Sequence, residues 1–200
     1  PGSPSVVTAG DTTTIYVANT GGFVYAIDGD GAERWTESIN VGRVQSTPVV
    51  ANGSVYVASL QSAAGFVYAL DADSGRQEWE FETDGAVISA PAATREHVYV
   101  GSRDGQLYAV DVNSGDQQWA VDTGRQINSS PAVVDGTVYV ANFGNDLFAL
   151  TTEGERRWRT ETAGNISGSL AIADGRIYLG SENRGLYALE SGGTVEFVAP

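Results

Sequence analysis

The sequence predicts an all-β protein: a β-propeller of four-stranded antiparallel blades, five of them in this chain. Three observations predict it. A phrase of about forty residues recurs five times. Each copy breaks into Val-, Ile- and Tyr-rich runs separated by turn residues. No segment sustains the 3.6-residue apolar periodicity of a helix. The recurrence is read from the ring in each "Y-A" or "F-A" pair: Tyr25, Tyr68, Tyr108, Phe148 and Tyr187, spaced 43, 40, 40 and 39 residues apart. A second ring closes each copy in step: Trp35, Trp79, Trp119, Trp158 and Phe197. The copies use up the chain as one domain, residues 1–200, with blades at about 3–40, 46–84, 89–124, 129–164 and 167–200.

Within a copy the strands follow in order. A serine- or proline-bearing approach ("STPVVA", "SSPAVV") leads into the first. Asn52-Gly53, Asp135-Gly136 and Asp174-Gly175 then mark tight hairpins, since both central residues of such a turn need positive φ. The second strand reads "VYVAN" or "VYVGS", and a polar turn leads to the third, "LYALD". An acidic, glycine-bearing turn leads to the fourth, which carries the tryptophan. One small sheet cannot bury both its faces. Face-to-face stacking around an axis solves that problem, and four strands per forty residues is the propeller pattern. The tryptophan is then expected to wedge into the next blade, burying about 200 Å². A stacking platform for a sugar is the alternative use of such a ring.

Two of these phrases, "ALDADSGRQEW" (Ala69–Trp79) and "AVDVNSGDQQW" (Ala109–Trp119), resemble the tryptophan-docking motif A-x-D-x-x-[ST]-G-x-x-x-W of the pyrroloquinoline-quinone (PQQ) enzyme repeat. "AIDGDGAERW" and "ALTTEGERRW" are one residue shorter, the latter with Thr151 for the aspartate, and "ALESGGTVEF" is the most degenerate. The resemblance implies the propeller fold across the chain. It is less specific for activity, because the family includes quinoprotein dehydrogenases, the propeller lipoprotein of the outer-membrane barrel-assembly machine and kinase sensor domains. Family rings commonly hold seven or eight blades, so five read either as a block from a longer array or as a small ring.

Dehydrogenase activity, as the resemblance describes it, needs a cofactor-stacking tryptophan, an adjacent-cysteine disulfide, calcium and a catalytic aspartate. This chain has no cysteine, and all four tryptophans stand at docking positions. The nearest calcium candidates, Asp28–Gly31 and Asp71–Gly75, lack the spacing of a twelve-residue calcium loop and fall where a tight turn is required anyway. The single histidine, His97, starts a second strand; with no second histidine and no cysteine there is no nitrogen–sulfur zinc site. No catalytic residue, cofactor or metal is therefore assigned.

Twenty-five acids face eleven bases, a net charge of −14, and every base is arginine. That surface repels nucleic acid and anionic membrane, so neither nucleic-acid binding nor membrane insertion is expected. The lysine-free acidity resembles proteins of salt-in halophiles. No apolar run reaches membrane-spanning length. Three sequons, at Asn52, Asn128 and Asn165, and the family resemblance point weakly to an extracytoplasmic location, secreted or at the cell surface.

Up-and-down topology puts the loops between second and third strands on the same edge as the loops from each fourth strand to the next first strand. A candidate binding face follows: Arg43, Gln61, Arg103, Asp104, Arg125, Phe143, Asn145, Asn183 and Arg184. Arginines above an acidic body suit a protein partner or a small acidic ligand through bidentate bonds. The second copy has three extra residues near Gln61–Gly65, a place for a further contact. The expected role is a non-catalytic scaffold that binds protein or ligand; the alternative is part of a PQQ-dependent dehydrogenase whose catalytic residues lie elsewhere.

Overall fold

The structure is a computed structural model. It describes residues 2–39, 42–61, 63–162, 164–166, 168–182 and 185–199, with backbone alone for 195–199. All regular structure among them is β, in five antiparallel sheets. The first holds β1 (Ser5–Ala9), β2 (Thr12–Ala18), β3 (Phe23–Asp28) and β4 (Glu33–Ser38). The second holds β5 (Arg43–Val44), β6 (Val49–Ala51), β7 (Ser54–Gln61), β8 (Ala64–Asp71) and β9 (Gln77–Thr83). The third is β10 (Ala92–Ala93), β11 (His97–Gly101), β12 (Gln106–Asp111) and β13 (Gln117–Asp122). The fourth is β14 (Ala132–Val134), β15 (Thr137–Ala141), β16 (Asp146–Thr151) and β17 (Arg156–Glu161). The fifth is β18 (Ala171–Ala173), β19 (Arg176–Gly180), β20 (Leu186–Glu190) and β21 (Val195–Ala199). Order within each sheet follows the chain, except that β5 and β6 both pair with β7, and the strands β1, β6, β10, β14 and β18 touch in succession.

The turns follow from their residues. Asn52-Gly53, Asp135-Gly136 and Asp174-Gly175 all have positive φ at both positions, the paired left-handed geometry that Gly and Asn or Asp tolerate. Every sheet shifts register once between its third and fourth strands, just after the alanine that pairs with the closing ring: Ala26 with Trp35, Ala69 with Trp79, Ala109 with Trp119, Ala149 with Trp158 and Ala188 with Phe197. Such a bulge increases the local twist of the outer strand.

The core consists of inter-sheet layers. Tyr16, Val24 and Ala26 of the first sheet pack on Val55, Val57, Tyr68 and Leu70 of the second. The same pairing recurs down the chain, ending with Tyr139, Leu147 and Ala149 against Ile177, Leu179 and Leu189. Each tryptophan sits at the outer end of such a layer. Its indole N–H donates to a carbonyl in the turn of the next sheet: Trp35 to Ala72 at 2.9 Å, Trp79 to Val112 at 2.9 Å, Trp119 to Thr152 at 2.9 Å and Trp158 to Ser191 at 2.8 Å. A positive-φ glycine lies against each ring. A methyl on Gly75, Gly115, Gly154 or Gly193 would come within 3.0 Å of the indole it faces.

The second module departs from the four-strand plan. Its three extra residues lengthen the β7–β8 hairpin until Gln61 pairs with Ala64, instead of forming a free loop. β5 pairs with the hairpin's extension, Arg43 opposite Leu60 and Val44 opposite Ser59, giving a fifth strand. Extending the ladder satisfies backbone groups that a loop would leave to water.

Candidate functional site

The edge formed by the β2–β3-type loops and the sheet-to-sheet connections is held by recurring bonds. Backbone N–H groups of Arg103, Phe143 and Glu182 donate to the carbonyls of Ala86, Gln126 and Asn165 at 3.0, 2.7 and 2.9 Å. A buried threonine braces the same junction in three modules. Thr83 places its hydroxyl between the carbonyls of Gly65 (3.2 Å) and Gly85 (2.7 Å). Thr123 does so between Gly105 (2.9 Å) and Arg125 (3.1 Å), and Thr162 between Asn145 and Gly164, both at 3.0 Å. These threonines were not among the expected site residues. Their signal in the sequence is a fixed offset, four residues past Trp79, Trp119 and Trp158.

On this braced edge the candidate residues fall into two groups. Arg43 and Gln61 are both exposed near the tip of the second module, where Arg43 pairs with Leu60 next to Gln61. Arg103, Arg125 and Phe143 converge where the third and fourth modules meet. The Arg103 Nε donates to Asn128 Oδ1 at 3.0 Å. The Arg125 stem passes over Gly144, where a methyl would sit 2.6 Å from its Cγ. Phe143 is 38% exposed beside it. Exposed arginines and an exposed ring on neighbouring loops, over a backbone fixed by hydrogen bonds, can hold a carboxylate while an apolar neighbour packs on the ring.

Two candidates serve the loops themselves. Asp104 Oδ2 accepts from the Tyr108 hydroxyl at 2.8 Å, and its Oδ1 accepts from Gln106 N at 2.8 Å, so this carboxylate is spent inside its own turn. Burial and the bond to Asp104 push the Tyr108 phenol well above its ordinary value. Asn145 has φ 76° and forms the positive-φ corner of its turn, with its carbonyl accepting from Thr162. Asn183 and Arg184 lie outside the described residues, as does the side chain of Phe197. On that loop Asn165 Nδ2 donates to Glu182 Oε2 at 3.3 Å.

Elsewhere the acidic turns cap themselves. Asp28 Oδ1 accepts from the N–H of Asp30 and Ala32, and Asp71 Oδ1 from the Ser74 N–H. The Ser74 bonds hold the Asp71 carboxyl below its ordinary value. His97 is half-buried; its backbone exchanges bonds with Thr94. Two clefts open on the opposite edge, at matching inter-module positions. One of about 520 Å³ is walled by Tyr16, Arg34 and Asn52; the other, about 430 Å³, by Tyr139, Arg157 and Asp135.

A family model described as outer membrane protein assembly factor BamB, of PQQ-repeat type, matches residues 2–66, 58–127 and 108–196. The chain belongs to that family. Among solved structures, BamB from Moraxella catarrhalis aligns at TM-score 0.82 and 21% identity, over 97% of this chain and 60% of that one. A europium-containing methanol dehydrogenase aligns at TM-score 0.80 and 16% identity, over 100% of this chain and 51% of that one. A quinohemoprotein alcohol dehydrogenase from Pseudomonas putida HK5 aligns at 0.67 and 24%, over 78% and 34%. This member of the BamB-type family therefore spans 60% or less of each of these three solved chains. A search of curated proteins returns no match. The fold is that of a BamB- and PQQ-type β-propeller, here with five sheets.

Proposed function

We propose that this chain is a non-catalytic, extracytoplasmic scaffold that binds an acidic segment of a protein partner, or a small acidic ligand, at the loop edge carrying Arg43, Arg103, Arg125 and Phe143. The observation that carries this reading is the convergence of Arg103, Arg125 and Phe143 on a threonine-braced backbone. Three features support it. The edge is held by its own hydrogen bonds, so little ordering is left to oppose binding. Its cations are arginines, in a body with net charge −14. The matching family is described as an assembly factor, which suits a protein-binding role.

A glutamate-rich peptide titrated against the folded chain, read by calorimetry, tests the proposal. Saturable binding is expected, weakened about tenfold by Arg125→Ala, on the order of 1.4 kcal/mol. Arg95→Ala, at an exposed arginine outside the face, should leave it unchanged. Equal binding by all three proteins would refute the assignment of the face.

The dehydrogenase likenesses support a second reading, a portion of a PQQ-dependent oxidoreductase. Saturable quinone absorbance or a melting shift with PQQ and calcium would favour it over the scaffold.

A further inference from the structure

The two clefts on the edge away from the loop face are copies of one frame. Between the first and second sheets, Val7, Thr14, Tyr16 and Arg34 line the cleft with Val50 and Gly53. Between the fourth and fifth sheets, Val134, Thr137, Tyr139 and Arg157 line it with Ile172 and Gly175. The registers match position for position. Val7 pairs with Thr14 as Val134 does with Thr137, and Arg34 and Arg157 each stand just before a docked tryptophan. The two joints between them lack this cation: Glu78 and Gln118 take its place.

The copies differ in how their polar groups are used. In the first cleft they satisfy one another. Arg34 Nη1 donates to Thr14 Oγ1 at 2.7 Å, and Arg34 Nη2 lies 3.8 Å from Asp73 Oδ1. The Tyr16 hydroxyl donates to the Ala72 carbonyl at 3.2 Å. In the second cleft the same groups are open. Ala72 and Ser191 are the matching tryptophan acceptors, so Gly192 stands where Asp73 does and brings no carboxylate to the guanidinium. Among the described residues Arg157 makes no ion pair, and its one hydrogen bond is to the Gly136 carbonyl at 3.4 Å. Asp135 lines the same cleft without pairing with it. Thr137 and Tyr139 are 6% and 4% exposed, and among the described residues neither hydroxyl has a hydrogen-bond partner. Buried polar groups are ordinarily bonded, so two such hydroxyls beside an open guanidinium mark a place for a ligand.

We infer that the cleft between the fourth and fifth sheets binds a small carboxylic acid with an apolar body. One planar cation matches one carboxylate through paired N–H bonds. The Thr137 and Tyr139 hydroxyls supply two further bonds to its oxygens. Val134, Ile172 and the partly buried Trp158 wall the rest, which favours an aliphatic or aromatic body over a sugar or a phosphate. The volume, about 430 Å³, is that of a small-molecule site. The site lies on the edge opposite Arg103, Arg125 and Phe143, and it stands independently of the role proposed for that face.

Phenylacetate titrated against the 200-residue chain tests the inference. The readout is the indole proton–nitrogen NMR spectrum, with the Trp158 signal assigned by Trp158→Phe. That signal is expected to shift saturably at millimolar phenylacetate. Replacing the probe by uncharged phenylacetamide, or Arg157→Gln, should each weaken binding about tenfold. Arg34→Gln and Arg125→Ala should leave it unchanged, which separates this cleft from its copy and from the loop edge. The open hydroxyl has its own readout. Thr14→Val loses the bond from Arg34 and should lower the melting temperature, whereas Thr137→Val should not, yet should weaken phenylacetate binding. No saturable shift, equal binding of phenylacetamide, binding that survives Arg157→Gln, or equal melting losses from the two valine substitutions would each overturn the inference. So would tighter binding of a peptide ending in a free phenylalanine carboxylate, which would give the cleft to a chain terminus.

Discussion

Gly115 and Gly124 have almost the same backbone, φ +77° and +80°, but different surroundings. A methyl on Gly115 would meet Trp79 at 2.9 Å, whereas one on Gly124 would meet nothing within 4 Å. Gly124→Ala should therefore cost only the left-handed penalty, about 1–2 kcal/mol. Gly115→Ala should cost that and the displacement of a docked indole, so its denaturant midpoint is expected to fall clearly further. Equal losses would mean that the ring is not held against the glycine. The tryptophans rank by the same reasoning. Trp79 is 7% exposed with its N–H satisfied, so Trp79→Ala should cost about 3–5 kcal/mol. Trp158 makes the same bond but is only partly buried, and Trp158→Ala should cost less.

At the scale of strands and turns, much was legible because local chemistry dictates it. Asn-Gly and Asp-Gly forced positive φ, and the ring spacing fixed which strands repeat. The extra strand β5 was not legible: nothing in "GRVQ" distinguishes a short ladder from a loop until the lengthened β7–β8 hairpin offers it a partner. Asp104 resembled a free loop carboxylate, and only the fold brings the Tyr108 hydroxyl to it. The bracing threonines repeat visibly, but their role depends on carbonyls 18 and 17 residues away, at Gly65, Gly105 and Asn145. The acidic turns make a pH prediction at this scale. Ser74 bonds hold the Asp71 carboxyl below its ordinary value, and Ser114 and Asn113 N–H bonds do the same for Asp111. A carboxyl depressed in the folded state stabilises above its unfolded value, and that stability is lost as pH falls through the folded value. The double variant Asp71→Asn, Asp111→Asn should thus lose stability at neutral pH and show a shallower decline below pH 3.8 than the parent. Parallel acid limbs would show that these turns contribute nothing to acid sensitivity.

For the molecule as a whole, two opposed terms set stability. Face-to-face sheets bury the apolar layers, while a net charge of −14 pushes the surface apart. The repulsion is structured: Glu78, Glu80 and Glu82 alternate along β9, the outermost strand of the second sheet, all exposed. Alternate strand residues share a face, so Glu80 and Glu82 form one row opposite Tyr68 and Phe66, while Glu78 sits in the bulge and its Oε2 accepts from the Ser54 hydroxyl at 2.6 Å. Buried Tyr68 feels the neighbouring Glu80 and Glu82 charges, but burial is the larger cause lifting its phenol to about 12. Screening reaches about 3 Å in molar salt but about 30 Å in 0.01 M salt, so the row repels itself strongly only when salt is removed. Melting is accordingly expected to fall by several degrees from molar to millimolar sodium chloride, and Glu80→Gln with Glu82→Gln should lessen that slope. Salt also strengthens apolar burial, a term the two substitutions leave untouched. A slope that survives them unchanged would assign the salt response to burial, and a melting temperature flat across the range would remove the case for adaptation to high salt.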